Sequence, residues 1–191
     1  AMTMLIVGFF GTIAINGLNA ALSTLGGEAF EIASTSMLIV VPLFVLMGNL
    51  AGVSGMSRDL YDAAYAWVGH HRGGLASATI GGCAGFAALS GSSIASAVTM
   101  GRVALPQMKR FKYDDSLATG AVAAGGTLGI LIPPSSGMII YAILTEQSIG
   151  RLFMAGVFPG LLLTGLFLVA IYIVTRIRPE AGPPGPKANM R

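Results

Sequence analysis

Charge is missing from five long stretches of the chain. Residues 1–27, 32–57, 73–101, 116–145 and 152–175 contain no Asp, Glu, Lys or Arg. The apolar runs within them are continuous, whereas a transmembrane β-barrel needs alternating segments of about ten residues. A bilayer-spanning helix takes roughly 20 mostly apolar residues, and each stretch is long enough. The pattern predicts an all-α polytopic membrane protein.

The first apolar segment is residues 3–25, with Gly8, Gly11 and Gly17 offering close helix contact, and Glu28 and Glu31 mark a short loop after it. Residues 32–53 form a second span in which Pro42 kinks the helix or marks where one restarts. Residues 54–72 differ. Leu60, Ala63, Ala64, Trp67 and Val68 can share one helical face, with Arg58, Asp59 and Asp62 towards the other. Tyr61, Tyr65 and Trp67 are aromatics of the kind found at a headgroup boundary. An interfacial helix fits best, with an ordinary solvated helix as the alternative.

Residues 73–101 are too long for one straight span and too short for two. Their middle, Ser90-Gly91-Ser92-Ser93, is a poor helix interior. Two half-length helices meeting at this tip make a re-entrant hairpin, which is tolerated at membrane depth only where protein or a watery cavity covers it. With residues 73–108 as a hairpin, Arg58, Arg72, Arg102, Lys109, Arg110, Lys112, Arg176 and Arg178 collect on one side, and Arg151 alone lies on the other. A single crossing would instead set Arg58, Arg72 and Arg151 against the remaining six. The positive-inside rule prefers the first arrangement and opens the hairpin to the cytoplasm. Two full crossings have the same parity, and length decides against them.

Residues 116–145 are broken by Ile132-Pro133-Pro134-Ser135-Ser136-Gly137. Two prolines lack N–H donors and disfavour helix in the residue before each. Carbonyls near Gly129–Leu131 therefore lose their helical partners, and a discontinuous helix of about 116–129 and 135–145 follows. Residues 152–175 are a plain span ending at Arg176 and Arg178. Beyond lies a Pro/Gly-rich tail, 176–191. Because Ala1 already sits inside an apolar stretch and the tail reads as a linker, the chain is expected to be a fragment.

Composition narrows the class further. The 191 residues are 54% apolar and 10% charged, with 27 glycines; a soluble domain carries about a quarter charged residues. The net charge of +3 comes from short loops, so nucleic acid is not an expected partner. Cys83 is the single cysteine, which excludes a disulfide framework and a thiol metal cluster, and among Gly81, Gly82 and Gly85 it reads as a packing residue. His70 and His71 beside Arg72 read as a solvated boundary. With no basic n-region ahead of it, the first segment reads as a retained span.

Both breaks fall near the middle of their apolar runs. Freed carbonyls at a helix C-terminus with serine hydroxyls make a hard-oxygen cage for a small cation, and the N-termini of the returning half-helices suit an anion. Together these are marks of a secondary-transporter site. Each break alone has a plainer reading: proline kinks helices, and serine is helix-packing glue. No carboxylate lies inside an apolar run, so sodium coupling fits better than an Asp/Glu proton relay. No Gly-rich phosphate loop ending in Lys-Ser or Lys-Thr signals ATP hydrolysis. An intramembrane serine protease would need a base within reach of Ser92 or Ser93, and both histidines lie at the membrane edge. No catalytic residue and no cofactor is therefore assigned.

Five runs occur in order: Pro42-Leu43-Phe44-Val45-Leu46-Met47-Gly48, Gly73-Gly74-Leu75-Ala76, Ser90-Gly91-Ser92-Ser93-Ile94-Ala95, Gly129-Ile130-Leu131-Ile132-Pro133-Pro134-Ser135 and Leu152-Phe153-Met154-Ala155-Gly156-Val157-Phe158-Pro159-Gly160. From about residue 5 to 175 the chain resembles the large membrane subunit of the TRAP (tripartite ATP-independent periplasmic) transporters. The resemblance implies a sodium-driven importer of small organic acids such as C4-dicarboxylates or sialic acid, in a bacterial inner membrane. It implies two partners: a periplasmic substrate-binding protein and a small four-helix membrane subunit. It also implies an elevator built from two inverted repeats, of which this chain resembles one. Residues 1–53 then correspond to scaffold helices, 54–72 to an arm helix, and 73–175 to half of a transport domain.

Carried onto matching positions, the resemblance implies a sodium site at Ser90, Ser92 and Ser93, completed by carbonyls around Gly129 and Pro133 and by Ser135. Substrate would lie beside it, near Gly91, Ser92, Ser93, Pro134 and Ser135. The second repeat is absent, so the 191 residues alone are expected not to transport. A non-transporting fragment whose breaks serve packing is the other reading.

Overall fold

A computed structural model describes residues 2–34 and 40–185. The described residues are all-α, with no strand among them. They fall into two compact units that divide between Pro42 and Leu43.

The first unit holds α1 (Met2–Asn16) and α2 (Leu18–Ser34). The expected single span over 3–25 is instead divided at Gly17, whose φ of +84° favours glycine. The expected loop at Glu28 and Glu31 is instead helical through to Ser34. No proline interrupts that run, and glutamate is a good helix former, so nothing local ends α2 there. α1 has no buried residue.

The second unit begins within α3 (Val40–Val53). Pro42 lies within α3, whose described part begins at Val40. Residues 35–39 of the expected span 32–53 lie outside the described residues, and the unit boundary precedes the expected scaffold limit at residue 53. Next comes α4 (Met56–Val68). Its inward face is Ser57, Leu60, Tyr61, Ala64, Tyr65 and Val68, while Ala63 and Trp67 are exposed. Tyr61 is fully buried against its neighbouring helix and does not face outward. The cause is in the partner helix: Gly81, Gly82 and Gly85 form a shallow groove that seats Ala64, Tyr61 and Leu60.

That partner is α5 (Gly74–Ser90), which Gly91-Ser92 joins to α6 (Ser93–Arg110). Gly91 has φ +59° and caps α5, and Ser92 caps α6. The arms have 17 and 18 residues, about 25–27 Å each at 1.5 Å per residue, longer than half-length. The uncharged part of α6, residues 93–101, is only about 13 Å. α7 (Asp115–Leu131) starts on the Asp114 cap, whose carboxylate accepts from Ser116 N at 2.8 Å and Leu117 N at 3.3 Å. It ends at the proline break, and α8 (Ser136–Leu144) and α9 (Ile149–Ile177) follow. The break thus falls where expected, with α7 running two residues past 129.

α5 is central and packs against α4, α6, α7 and α9. Small residues allow this: a Cβ added to Gly126 would stand 3.2 Å from Ala97 Cα, and one added to Gly82 3.3 Å from Tyr61 Cα. The large apolar side chains point outwards instead, among them Leu161, Leu162, Leu166 and Phe158 of α9. Among the described residues two helical stretches are long and apolar enough to cross a membrane, Asp115–Leu144 and Ile149–Ile177. The latter has 29 residues, about 43 Å.

One end of the second unit gathers the start of α5, the α6–α7 turn and the end of α9. Leu75 N donates to Tyr113 Oη at 3.2 Å, Asp114 N to Ala181 O at 3.0 Å and Gly73 N to Gly182 O at 2.9 Å. The tail to Gly185 is therefore not the free linker expected: it folds back, and Gly185 N donates to Gly69 O at 3.1 Å. Glycine at 182 and 185 permits backbone-to-backbone approach at these points.

Candidate functional site

The two breaks meet. A methyl group added to Gly91 would stand 2.8 Å from Pro134 O, and Gly91 O accepts from Ser136 Oγ at 2.9 Å and from Ser136 N at 3.3 Å. A methyl group on Gly129 would stand 2.6 Å from Ser92 O. The hairpin tip is thus seated against the end of α7 and the start of α8, with no side chain between the backbones. Gly48 of α3 closes another side, since its Cβ would stand 3.1 Å from both Ser90 Cα and Ser90 O.

Oxygen dominates this contact. Ile132 N donates to Leu128 O at 2.8 Å and ends the helical ladder of α7. The next carbonyls, Gly129 O and Ile130 O, would pair with residues 133 and 134, which are prolines without N–H. Ser90 Oγ and Ser96 Oγ are 2.7 Å apart. Ser92 Oγ accepts from Ala95 N at 3.4 Å and Ser135 Oγ from Met138 N at 3.5 Å, so both serines cap helices whose N-termini face the junction. Ser135 is fully buried.

The expected residues therefore come together: Ser90, Gly91, Ser92 and Ser93 on the hairpin, and Gly129, Pro133, Pro134 and Ser135 on the break. Ser93 opens α6, with its carbonyl 3.2 Å from where a Gly126 Cβ would stand, and Pro133 is half-buried between the helices. Three participants were not singled out beforehand. Ser96 follows Ser92 and Ser93 at helical spacing, so the serine pattern held a signal for it. Ser136 was visible beside the break. Gly48 had no local signal, because only the tertiary contact with Ser90 gives it a role.

Among the described residues no group of three His, Cys, Asp or Glu side chains forms a metal cluster. Cys83 is buried with its sulfur 2.7 Å from where a Gly125 Cβ would stand, a packing contact between α5 and α7. The titratable groups with shifted ionisation outside the spans are phenols away from the breaks, packed against the middle and start of α5. Burial pushes the Tyr61 hydroxyl well up, with Tyr113, Tyr65 and Asp62 adding to the shift and the Thr79 hydroxyl opposing it. Thr79 Oγ1 donates to Leu75 O at 2.8 Å, and although it lies close to Tyr61 Oη it makes no well-formed hydrogen bond with it. Burial raises Tyr113 too, against the Leu75 N–H it accepts.

The described residues, all-helical with outward-facing apolar side chains and two helix breaks in contact, fit a polytopic membrane protein. The family described as "Tripartite ATP-independent periplasmic transporter, DctM component" matches residues 1–190, and the chain belongs to that family. It is 46% identical over 164 residues to a C4-dicarboxylate TRAP transporter large permease protein of Pseudomonas aeruginosa, covering 86% of this chain and 38% of the relative. It is 36% identical over 187 residues to an ectoine TRAP transporter large permease protein of Halomonas elongata, covering 98% of this chain and 43% of the relative. A sialic acid TRAP transporter permease protein of Haemophilus influenzae is 35% identical over 152 residues, covering 80% of this chain and 24% of the relative. The chain thus spans about two-fifths or less of these curated relatives.

Proposed function

We propose that this chain is part of the large permease subunit of a sodium-coupled importer of small organic acids in a bacterial inner membrane. Substrate is delivered by a periplasmic binding protein, and a small membrane subunit packs beside the permease. The observation that carries the reading is the contact between the Gly91–Ser93 tip and the Gly129–Ser136 break, which concentrates carbonyl and hydroxyl oxygens without a fixed charge. Oxygen ligands suit a hard cation, and Ser90, Ser92, Ser93, Ser135 and the carbonyls of Gly129 and Pro133 are the proposed sodium ligands. A substrate carboxylate beside them would meet the N-termini of α6 and α8, near Gly91, Ser92, Ser93, Pro134 and Ser135. The names of the relatives support C4-dicarboxylate or a related acid as substrate.

The re-entrant reading draws on two lengths. The tip stops where α7 ends, 17 residues from the gathered end, while α8 and α9 continue beyond it. The basic residues Arg72, Lys109, Arg110, Arg176 and Arg178 fall at that end, Arg102 lies midway along α6, and Arg151 is at the other end of α9. The gathered end is the cytoplasmic one. In the elevator mechanism residues 73–175 move as half of the transport domain, α4 is the arm, and residues 1–53 belong to the scaffold. A packing-only reading draws on the Ser90–Ser96 pair and the Ser136–Gly91 bonds, which satisfy these hydroxyls internally.

The test is uptake by the complete permease with its small subunit and binding protein in proteoliposomes, offered succinate, sialic acid and ectoine. An inward sodium gradient should drive accumulation of one of them, and an equal potassium gradient should not. Uptake indifferent to sodium would overturn the proposal.

A further inference from the structure

At the gathered end a cleft of about 530 Å³ opens between the α4–α5 turn and the last turns of α9. His71, Arg72, Ser77, Tyr172, Thr175 and Arg176 line it together with Val68, and no carboxylate does. Arg72 and Arg176 are both exposed at this cleft, and their like charges favour an anionic occupant. Gly73, whose φ of +71° turns the chain beside Thr175 and whose N–H donates to Gly182 O at 2.9 Å, holds the α4–α5 turn against the end of α9. Thr175 is buried and bonded to Ile171 O at 2.9 Å. Tyr172 stacks under Arg176, with the guanidinium 5.8 Å from the ring centre.

Below the cleft an apolar stripe continues along α9. Leu162, Leu166, Val169 and Ile173 recur at spacings of four and three residues, are exposed, and lead up to Arg176. From Leu162 to Arg176 the stripe is about 21 Å long. A cationic cleft at the head of an exposed apolar stripe, flanked by an interfacial tyrosine, has the two chemistries of one molecule: an anionic phosphate and a long acyl chain. The stripe is the outward apolar side of a helix long enough to span a membrane, and the cationic cleft at its head is what selects an anionic headgroup.

We propose that this cleft is a binding site for an anionic phospholipid of the cytoplasmic leaflet, its phosphate held by Arg72 and Arg176 and its acyl chain lying along α9. Arginine forks suit a phosphate diester, and Ser77 and His71 offer further donors. The site lies at the other end of α5 from the helix breaks and stands independently of sodium coupling.

The test uses the complete permease in phosphatidylcholine vesicles carrying spin-labelled phosphatidylglycerol, reading the motionally restricted lipid fraction. Wild type should prefer phosphatidylglycerol over labelled phosphatidylcholine. Arg72→Gln with Arg176→Gln should reduce that preference by about fivefold per arginine. Lys109→Gln with Arg110→Gln removes equal charge from the same end, outside the cleft, and should keep most of it. Equal losses in the two double variants would reduce the effect to general surface charge and overturn the site. So would an unchanged preference in the Arg72/Arg176 variant. Arg72→Lys with Arg176→Lys, which keeps the charge and fold, should lose part of the preference if the forked geometry matters; full retention would overturn the phosphate contact.

Discussion

A single methyl group at Gly129 probes the junction of the two breaks directly. Built on the backbone, it would stand 2.6 Å from Ser92 O, 2.8 Å from Ser92 C and 2.9 Å from Ser96 Oγ, where ordinary contact begins at 3.4 Å. The Ser92 carbonyl must therefore retreat by about 0.8 Å. Backbone cannot rotate aside as a side chain can, so the tip shifts as a unit. Overpacking of this kind costs about 1–3 kcal/mol, opposed by the roughly 1 kcal/mol by which alanine favours a helix over glycine. Gly120→Ala on the same helix supplies the second term alone, because nothing lies within 4 Å of its Cβ. The difference between the variants isolates the clash. Thermal unfolding of the complete permease in potassium buffer should place Gly129→Ala about 1–3 kcal/mol below Gly120→Ala. Equal stability of the two would show that the tip does not rest on α7 as described.

Tyr113→Phe removes the hydroxyl that accepts Leu75 N–H and should destabilise by about 1–3 kcal/mol, whereas Tyr61→Phe removes a buried hydroxyl that makes no well-formed hydrogen bond and should cost less; paired melting curves decide. Both phenols are raised above their ordinary value of 10.0. The unfolded chain therefore ionises them first, and stability should be full below pH 10 and fall above it. Tyr61→Phe should flatten that fall, and an unchanged slope would contradict the burial of Tyr61. Trp67, outward on α4, should be quenched by lipid brominated near the headgroup more than at the chain end; the reverse would refute an interfacial α4.

Much of this architecture was legible because it follows from local chemistry. Pro133 and Pro134 must interrupt a helix wherever they stand, and Gly91-Ser92 between uncharged runs must turn. What was not legible depends on partners. The face of α4 was misjudged because Trp67 and Ala63 are as apolar as Tyr61, and only the groove at Gly81, Gly82 and Gly85 selects among them. Gly17 read as a packing glycine within one span, but its left-handed backbone divides α1 from α2. The return of the tail through Ala181, Gly182 and Gly185 rests on backbone bonds, which carry no sequence signature. At the site, the serines and carbonyls were visible as types, whereas their meeting with Gly48 and Ser96 required the packed structure.

The central claim is that the joined breaks bind sodium, and the stability of the complete permease with its small subunit tests it most directly. An ion bound only by the folded state raises stability in proportion to the logarithm of its concentration once above its Kd. Melting temperature should climb with sodium but not with potassium at matched ionic strength. In Ser92→Ala with Ser93→Ala the climb should shrink by the part due to the joined breaks. Identical curves in sodium and potassium for the wild-type protein would contradict the account and return the tip serines to a packing role.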